Sequence, residues 1–172
     1  MLNRALTWIY ATSRRRTALH IFFSALTLSL GTLIYVVYRP ANILVFEWIA
    51  FVGLEDFVAT LRSSSVVLAF EPPEWVLYSL PDMLWVVSFG HAIFAVLTGA
   101  DTGLKGFWVA AITIGAVAIG SEVGQAFGVV PGTFDWWDLL LYGAGILWLI
   151  FFTLSEARFR SQPIDKRSDN HE

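Results

Sequence analysis

Four apolar stretches, each close to the length of a membrane-spanning helix, constrain this chain more than any other feature. They cover residues 17–38, 81–98, 107–123 and 135–155. A helix of about 20 apolar residues crosses the ~30 Å hydrocarbon core of a bilayer. Apolar residues make up 56% of the chain and the mean hydropathy is +0.64, more than a soluble fold of this size can bury. We therefore expect an all-α, polytopic membrane protein with four transmembrane helices.

The N-terminal segment could be mistaken for a signal peptide, because Arg14, Arg15 and Arg16 precede an apolar run. That run is longer than a usual signal-peptide core, and no small-residue cleavage site follows it. We therefore expect the first span to remain as an anchor. Residues 1–16 mix apolar and basic side chains, which predicts an amphipathic tail whose three arginines bind anionic lipid headgroups.

Basic residues are distributed unevenly between the two sides that four spans would create. Loops rich in lysine and arginine tend to stay in the cytoplasm, and nine of the eleven basic residues fall in the tails and the loop near Lys105. Both termini are therefore predicted to be cytoplasmic. The implied segments are an inner tail (1–16), TM1 (17–38), an outer segment (39–80), TM2 (81–98), an inner loop (99–106), TM3 (107–123), an outer loop (124–134), TM4 (135–155) and an inner tail (156–172).

The outer segment 39–80 is too long for a simple connection and too apolar for a solvated linker. Residues 42–62 predict one interfacial helix on which Glu47, Glu55 and Arg62 share a face. Such a helix could form a lid packed on the ends of the spans, or a surface for a partner or a gate. The tail from residue 161 onward is polar and is expected to be disordered, and it could tether a cytoplasmic protein partner.

Acidic and amide side chains gather at the predicted outer ends of the spans. They are the candidate ligand-binding or ion-binding residues: Glu122, Gln125, Asp82, Asp138 and Asp135. Ionisable groups near the membrane are costly and often functional. Capping is the alternative for three of them, with Ser79 and Asp82 forming a capping box and Asp135 and Asp138 starting the fourth span. Glu122 lies near a helix C-terminus, where the helix dipole disfavours an acid, so it is the leading functional candidate.

Two further features concern packing. His91 lies near mid-bilayer, where a neutral imidazole usually bonds a hydroxyl or carbonyl of another helix, and proton relay is the alternative. Small residues recur every four positions along the third span, at Ala116, Gly120, Gly124 and Gly128. This ridge predicts close helix packing, either within the chain or between subunits of a homo-oligomer.

A family resemblance rests on the last two spans. The stretch from Glu122-Val123-Gly124-Gln125 to Pro131-Gly132-Thr133-Phe134-Asp135-Trp136-Trp137-Asp138, with Tyr142 and Gly145, resembles VanZ-like small membrane proteins. The resemblance implies a bundle of about this size in a bacterial membrane and a link to glycopeptide tolerance. By size and span count alone, the chain is also similar to the membrane subunit of the Kiwa antiphage defence system.

The sequence lacks the residues and motifs on which several classes of function depend. The chain has no cysteine, which excludes disulfides and thiolate metal sites, and no nucleophile elbow, His-rich metal motif or phosphate loop. We expect no enzyme, no metal, no cofactor and no direct nucleic-acid partner. The predicted function is a non-enzymatic component of the bacterial inner membrane, a sensor, anchor, or resistance or defence factor acting through association. The alternatives are a VanZ-like protein binding a lipid-linked or glycopeptide-type ligand at the outer carboxylates, and an oligomeric ion or proton pathway.

Overall fold

The computed structural model describes residues 2–41, 44–64, 69, 71–100 and 102–161, and it describes side chains between residues 13 and 158 of these. Within them the chain is helical, without strands. The helices are α1 (Leu2–Tyr38), α2 (Leu44–Phe51), α3 (Glu55–Arg62), α4 (Glu74–Tyr78), α5 (Leu80–Gly99), α6 (Leu104–Ala126) and α7 (Trp136–Ser161).

Four segments of the described chain are long and apolar enough to cross a membrane. They are Ser13–Tyr38, Glu74–Gly99, Leu104–Ala126 and Trp136–Arg158. The second span includes α4 and α5, because Ser79 between them has a helical backbone (φ −101°, ψ −33°). The prediction of an all-α membrane protein with four spans is therefore confirmed.

The first and last spans extend beyond the segments expected from hydropathy. α1 is continuous from Leu2, so the predicted inner tail 1–16 is the beginning of the first long helix rather than a separate element. α7 continues to Ser161, past the predicted end at residue 155. These extensions bring Arg16 and Glu156 together as an ion pair. The side chains of residues 2–12 and the whole of 162–172 lie outside the described residues, so the amphipathic anchor and the tethering tail stay predictions.

The predicted interfacial helix over 42–62 is in fact two short helices. The backbone turns at Gly53, whose φ of +73° lies in the left-handed region that favours glycine. Glu47 and Glu55 are therefore on different helices, and the predicted common face is not formed. Arg62 instead folds back onto the end of α1, where its Nη1 donates to the carbonyl oxygens of Val36 (3.0 Å) and Arg39 (2.9 Å). Carbonyls in a last helical turn lack partners within the helix, so this side chain caps α1.

The spans pack around a buried apolar core, and a glycine allows two of them to approach closely. α1 packs along α5, and α7 packs against both α5 and α6. The side chains of Phe94, Phe107 and Leu149 are fully buried where α5, α6 and α7 meet. Gly90 leaves the space that Leu149 fills, since a Cβ on this glycine would lie at or within 3.0 Å of three Leu149 carbons. Two polar clusters lie at opposite ends of this bundle. We call these ends the Asp82 end and the Arg16 end, after one residue of each cluster.

Candidate functional site

Asp82 lies in the first turn of α5, directly after Pro81. The predicted capping box is not formed, because Ser79 has a helical backbone and makes no side-chain cap hydrogen bond. Its N–H is satisfied by the carbonyl oxygen of Trp75 at 3.1 Å, as part of a nearly continuous helix. Asp82 therefore has no capping role, and its half-buried carboxyl group faces the other helices at this end of the bundle.

Glu122 is nearly fully buried, with 2% of its surface exposed, in the last turns of α6. Its Oε2 accepts a hydrogen bond from the backbone N–H of Asp135 across 3.4 Å. The Asp135 side chain accepts the N–H of Trp137 at 2.8 Å and so caps α7, as predicted. The cap and the hydrogen bond to Glu122 together hold the first turn of α7 beside the last turns of α6.

The carboxylates of Asp82, Glu122 and Asp138 come from three different spans and are close enough for their charges to interact. The Tyr142 hydroxyl, one turn after Asp138, interacts electrostatically with all three. We call these four residues the carboxylate cluster. Asp138, which the sequence offered as a helix cap, lies instead beside the buried Ser79 hydroxyl.

Arg39, which directly follows the first span, is a cation near the carboxylate cluster. This residue was not selected from the sequence. Arg39 interacts electrostatically with Asp82 and Asp138. Its guanidinium carbon lies 4.5 Å from the ring centroid of Tyr78 and 5.2 Å from that of Tyr35, and Nη2 donates to the Tyr78 carbonyl oxygen at 3.3 Å. These contacts hold the guanidinium on aromatic faces, which is favourable for a cation.

Gln125 contacts the loop between α6 and α7. Its side-chain amide packs against the backbone of Gly132, whose φ is +137°. A Cβ at Gly132 would overlap the Gln125 amide, so the glycine allows the loop between α6 and α7 to close over the end of α6. Gln125 thus supports the loop that leads to Asp135, although the sequence grouped it with the candidate ligands.

At the Arg16 end, His91 bonds partners that the sequence did not suggest. It meets His20 of α1, with 2.9 Å between their Nδ1 atoms, and Trp148 of α7, with 2.9 Å from its indole nitrogen to His91 Nε2. Arg16, expected at a lipid headgroup, pairs instead with Glu156, whereas Arg14 and Arg15 are exposed. The ion pair forms because α7 is long enough to bring Glu156 beside α1.

The predicted small-residue ridge divides into parts with different surroundings. Ala116 and Gly120 are exposed, and nothing lies within 4 Å of a Cβ built on Gly120. Gly124 packs against Val130 of its own loop, and Gly128 lies beyond the end of α6 with a φ of +67°. The buried face of α6 consists of other residues, namely Phe107, Ala111, Gly115, Ala118 and Glu122.

The fold defines the class of protein as a multi-pass, all-α membrane protein with a polar cluster at each end of its bundle. Comparison of the chain with protein-family models, curated proteins and solved structures found no match. Among the described residues, no group of three or more histidine, aspartate or glutamate side chains is arranged to hold a metal ion.

Proposed function

We propose that this chain is a non-enzymatic component of a bacterial inner membrane, a sensor or a resistance or defence factor that recognises an amine-bearing ligand at the carboxylate cluster. The observation that carries the proposal is the burial of Glu122 in a membrane span, close to two more carboxylates. Ionisable groups are expensive at such positions and are retained where they bind or transfer something.

The charge of the carboxylate cluster supports this ligand class. Among the described residues, Arg39 is the cation that interacts with the carboxylates of Asp82 and Asp138, while Asp135 adds a further negative charge beside Glu122 and Asp138, so the ionised cluster carries excess negative charge. A ligand cation bound among these side chains would be attracted to each ionised carboxylate and would offset the repulsion between them. A primary ammonium offers three N–H donors, and ionised carboxylates are acceptors for such donors. Lipid-linked and glycopeptide-type ligands that carry amines fall within this class.

A surface for passing the signal on is available at the same end of the molecule. Large apolar side chains of α2 and α3 are exposed, namely Phe51 (91%), Phe57 (66%) and Trp48 (62%). α2 has no buried residue, while α3 contacts α1 and has one buried residue, Val58. We propose that these helices lie in the outer interface of the membrane, where they could bind a partner or a second copy of the chain.

The proposed orientation places the Asp82 end outside the cytoplasm. The described basic residues Arg14, Arg15, Lys105 and Arg158 are exposed at the Arg16 end or in its loop, and basic loops favour the cytoplasmic side. The carboxylate cluster would then face ligands that arrive from the envelope, while the termini reach cytoplasmic partners.

The test is ligand-dependent stability of the protein in lipid nanodiscs, with ethanolamine as the probe. A ligand that binds only the folded state raises the unfolding midpoint as its concentration passes its Kd. Ethanolamine should raise the midpoint, whereas choline, which has the same charge but no N–H donor, should raise it less. Glu122→Gln should abolish the shift.

The matched control is Glu55→Gln, which removes an exposed acid at the same end of the molecule. It should leave the ethanolamine shift unchanged. In cells, Glu122→Gln should accumulate normally in the membrane but lose whatever tolerance the native chain confers against a glycopeptide challenge. An equal ethanolamine shift in native protein and Glu122→Gln, or none in either, would remove the carboxylate cluster as the site.

A further inference from the structure

Two fully buried histidines meet where three spans cross. His20 on α1 is 1% exposed and His91 on α5 is 0% exposed. Besides the 2.9 Å contact between their Nδ1 atoms, His91 Nε2 contacts the Trp148 indole nitrogen and His20 Nε2 lies 3.5 Å from Glu156 Oε1. Glu156 in turn pairs with Arg16. We call this connected set the histidine network.

The protons of the histidine network can be placed from its chemistry. An indole N–H only donates, so His91 Nε2 must accept from Trp148. A neutral imidazole has one N–H, so the His91 proton is on Nδ1 and is donated to Nδ1 of His20. The His20 proton is then on Nε2 and points at the Glu156 carboxylate. When both rings are neutral, the two hydrogen bonds and the 3.5 Å contact therefore all run from Trp148 through His91 and His20 towards Glu156.

One added proton on either ring disrupts this order. Protonated His91 would point its Nε2–H at the N–H of Trp148, and protonated His20 would point its Nδ1–H at the N–H of His91. In each case two donors face each other. Exchanging tautomers does not resolve the conflict, because both nitrogens of a protonated imidazole are donors. Phe23 stacks on His91 with centroids 5.2 Å apart and Phe152 meets it edge-on at 4.6 Å, so the ring is packed in place. The remaining proton acceptor is the Glu156 carboxylate, which holds Arg16 and His20.

Among the described residues, a path for protons to the histidine network is visible from the Arg16 end. A cavity of about 350 Å³, lined by Arg15, Arg16, His20 and Glu156 among others, opens at the Arg16 end. In the other direction the network stops at Trp148, because an indole has no second nitrogen to pass a proton on. The next polar pair is Ser24 and Ser88, 3.3 Å apart, and no hydrogen bond among the described residues joins it to a histidine.

Charged groups on the surrounding helices do not change this direction. From α1 the network faces Arg15 and Arg16, and from α7 it faces Glu156, with Arg158 exposed two residues further along the chain. α6 packs behind Phe94 through Phe107, and its Lys105 lies in a separate groove with Leu97 and Ile114. A proton therefore enters past two arginines and reaches Glu156 and His20 first.

We propose that the histidine network is a proton-binding site entered from the Arg16 end, where uptake of one proton loosens α1 from α5 and α7 instead of crossing the membrane. The site lies at the opposite end from the carboxylate cluster and does not depend on the amine ligand. Its consequence is a bundle whose inner half is tightly packed in the neutral state and opens when the proton concentration at that end rises.

The experiment is ¹⁵N magnetic resonance of ring-labelled histidine in nanodiscs. The chain has three histidines, and His171→Asn leaves only the two of interest. At neutral pH we expect opposite tautomers, with the proton on Nδ1 of His91 and on Nε2 of His20, and a nitrogen–nitrogen coupling through their hydrogen bond. On acidification both features should disappear in a single step. Two rings with the same tautomer, or two independent titrations, would overturn the proposal.

Variants test the direction of the network. Trp148 is 42% exposed, so Trp148→Phe is compatible with folding. The change removes the blocking donor and should let the pair take its proton at about tenfold lower proton concentration, the size expected from one hydrogen bond. Trp85→Phe, which alters a tryptophan that contacts Gly31 and Tyr35 instead, should leave the titration unchanged. Glu156→Gln keeps an acceptor for His20 but cannot bind the proton, so it should require a higher proton concentration. An unmoved titration in Trp148→Phe, or sustained proton flux through native protein in sealed vesicles, would contradict the closed end.

Discussion

The contact between Gly90 and Leu149 allows α5 and α7 to approach closely enough for His91 to meet Trp148. Each residue of this contact is adjacent in sequence to one partner of that hydrogen bond. A methyl group on Gly90 would lie at or within 3.0 Å of three Leu149 carbons, including the branch carbon Cγ. Leu149 is 0% exposed, so it cannot move aside without displacing its neighbours.

Gly90→Ala is therefore expected to destabilise the bundle. Overpacking typically costs about 1–3 kcal/mol, while Gly→Ala inside a helix gains roughly 0.5–1 kcal/mol from lower backbone entropy in the unfolded chain. Gly120→Ala is the matched control, since nothing lies within 4 Å of its Cβ and it shares the helix gain. The two variants should differ by about 1–3 kcal/mol, which isolates the steric overlap.

The assay is unfolding in mixed detergent micelles with increasing dodecyl sulfate, followed by circular dichroism. Adding Leu149→Ala to Gly90→Ala removes the overlapping atoms, so the double variant should be more stable than the sum of the single changes, with a coupling of about 0.5–3 kcal/mol. The packing account would be refuted if Gly90→Ala were as stable as Gly120→Ala, or if the double variant were additive.

Two further predictions concern the loop before the last span and the exposed part of α6. Asp135→Ala should lower stability by about 0.5–2 kcal/mol while Asp135→Asn changes it little, because asparagine also caps a helix; equal losses in thermal unfolding would argue against the cap. Gly120→Leu should reduce particle size in mild detergent if Ala116 and Gly120 pack between subunits, whereas Gly143→Leu, at another glycine with open space, should not; unchanged size in both would assign the exposed face to lipid.

The spans could be predicted from sequence because hydropathy over about 20 residues is a local property that the bilayer imposes on each helix separately. The ends of the spans could not. Arg16 and Glu156 look like residues of polar tails when each end is considered alone, but they neutralise each other when α1 and α7 lie side by side. An ion pair between the two ends of the chain leaves no signal in a window of neighbouring residues.

The residues of the two polar clusters could likewise be predicted only in part from the sequence. Glu122, Asp82 and Asp138 could be named because acids at the ends of apolar spans are conspicuous, and the topology brings three spans together at one end. His20 was missed because nothing in the local sequence indicates that it meets His91 of another span. Arg39 was missed because its role depends on Tyr35 and Tyr78, which hold it at the carboxylates.

The break in the outer segment was missed for a different reason. Residues 42–62 have the composition of one helix, and a glycine inside a helix costs only about 1 kcal/mol. Gly53 becomes a turn because Arg62 binds the carbonyl oxygens of Val36 and Arg39, which draws α3 back onto the first span. That contact joins distant parts of the chain, so the local sequence does not reveal it.

The central claim is that the membrane separates the carboxylate cluster outside from the histidine network inside, and labelling of two single cysteines tests it most directly. The chain has no cysteine of its own, and the exposed loop residues Thr133 and Gly103 lie at the Asp82 end and the Arg16 end respectively. With a membrane-impermeant maleimide, Thr133→Cys should react in intact cells, whereas Gly103→Cys should react only after permeabilisation. Labelling of both cysteines in intact cells, or the reverse pattern, would contradict the account.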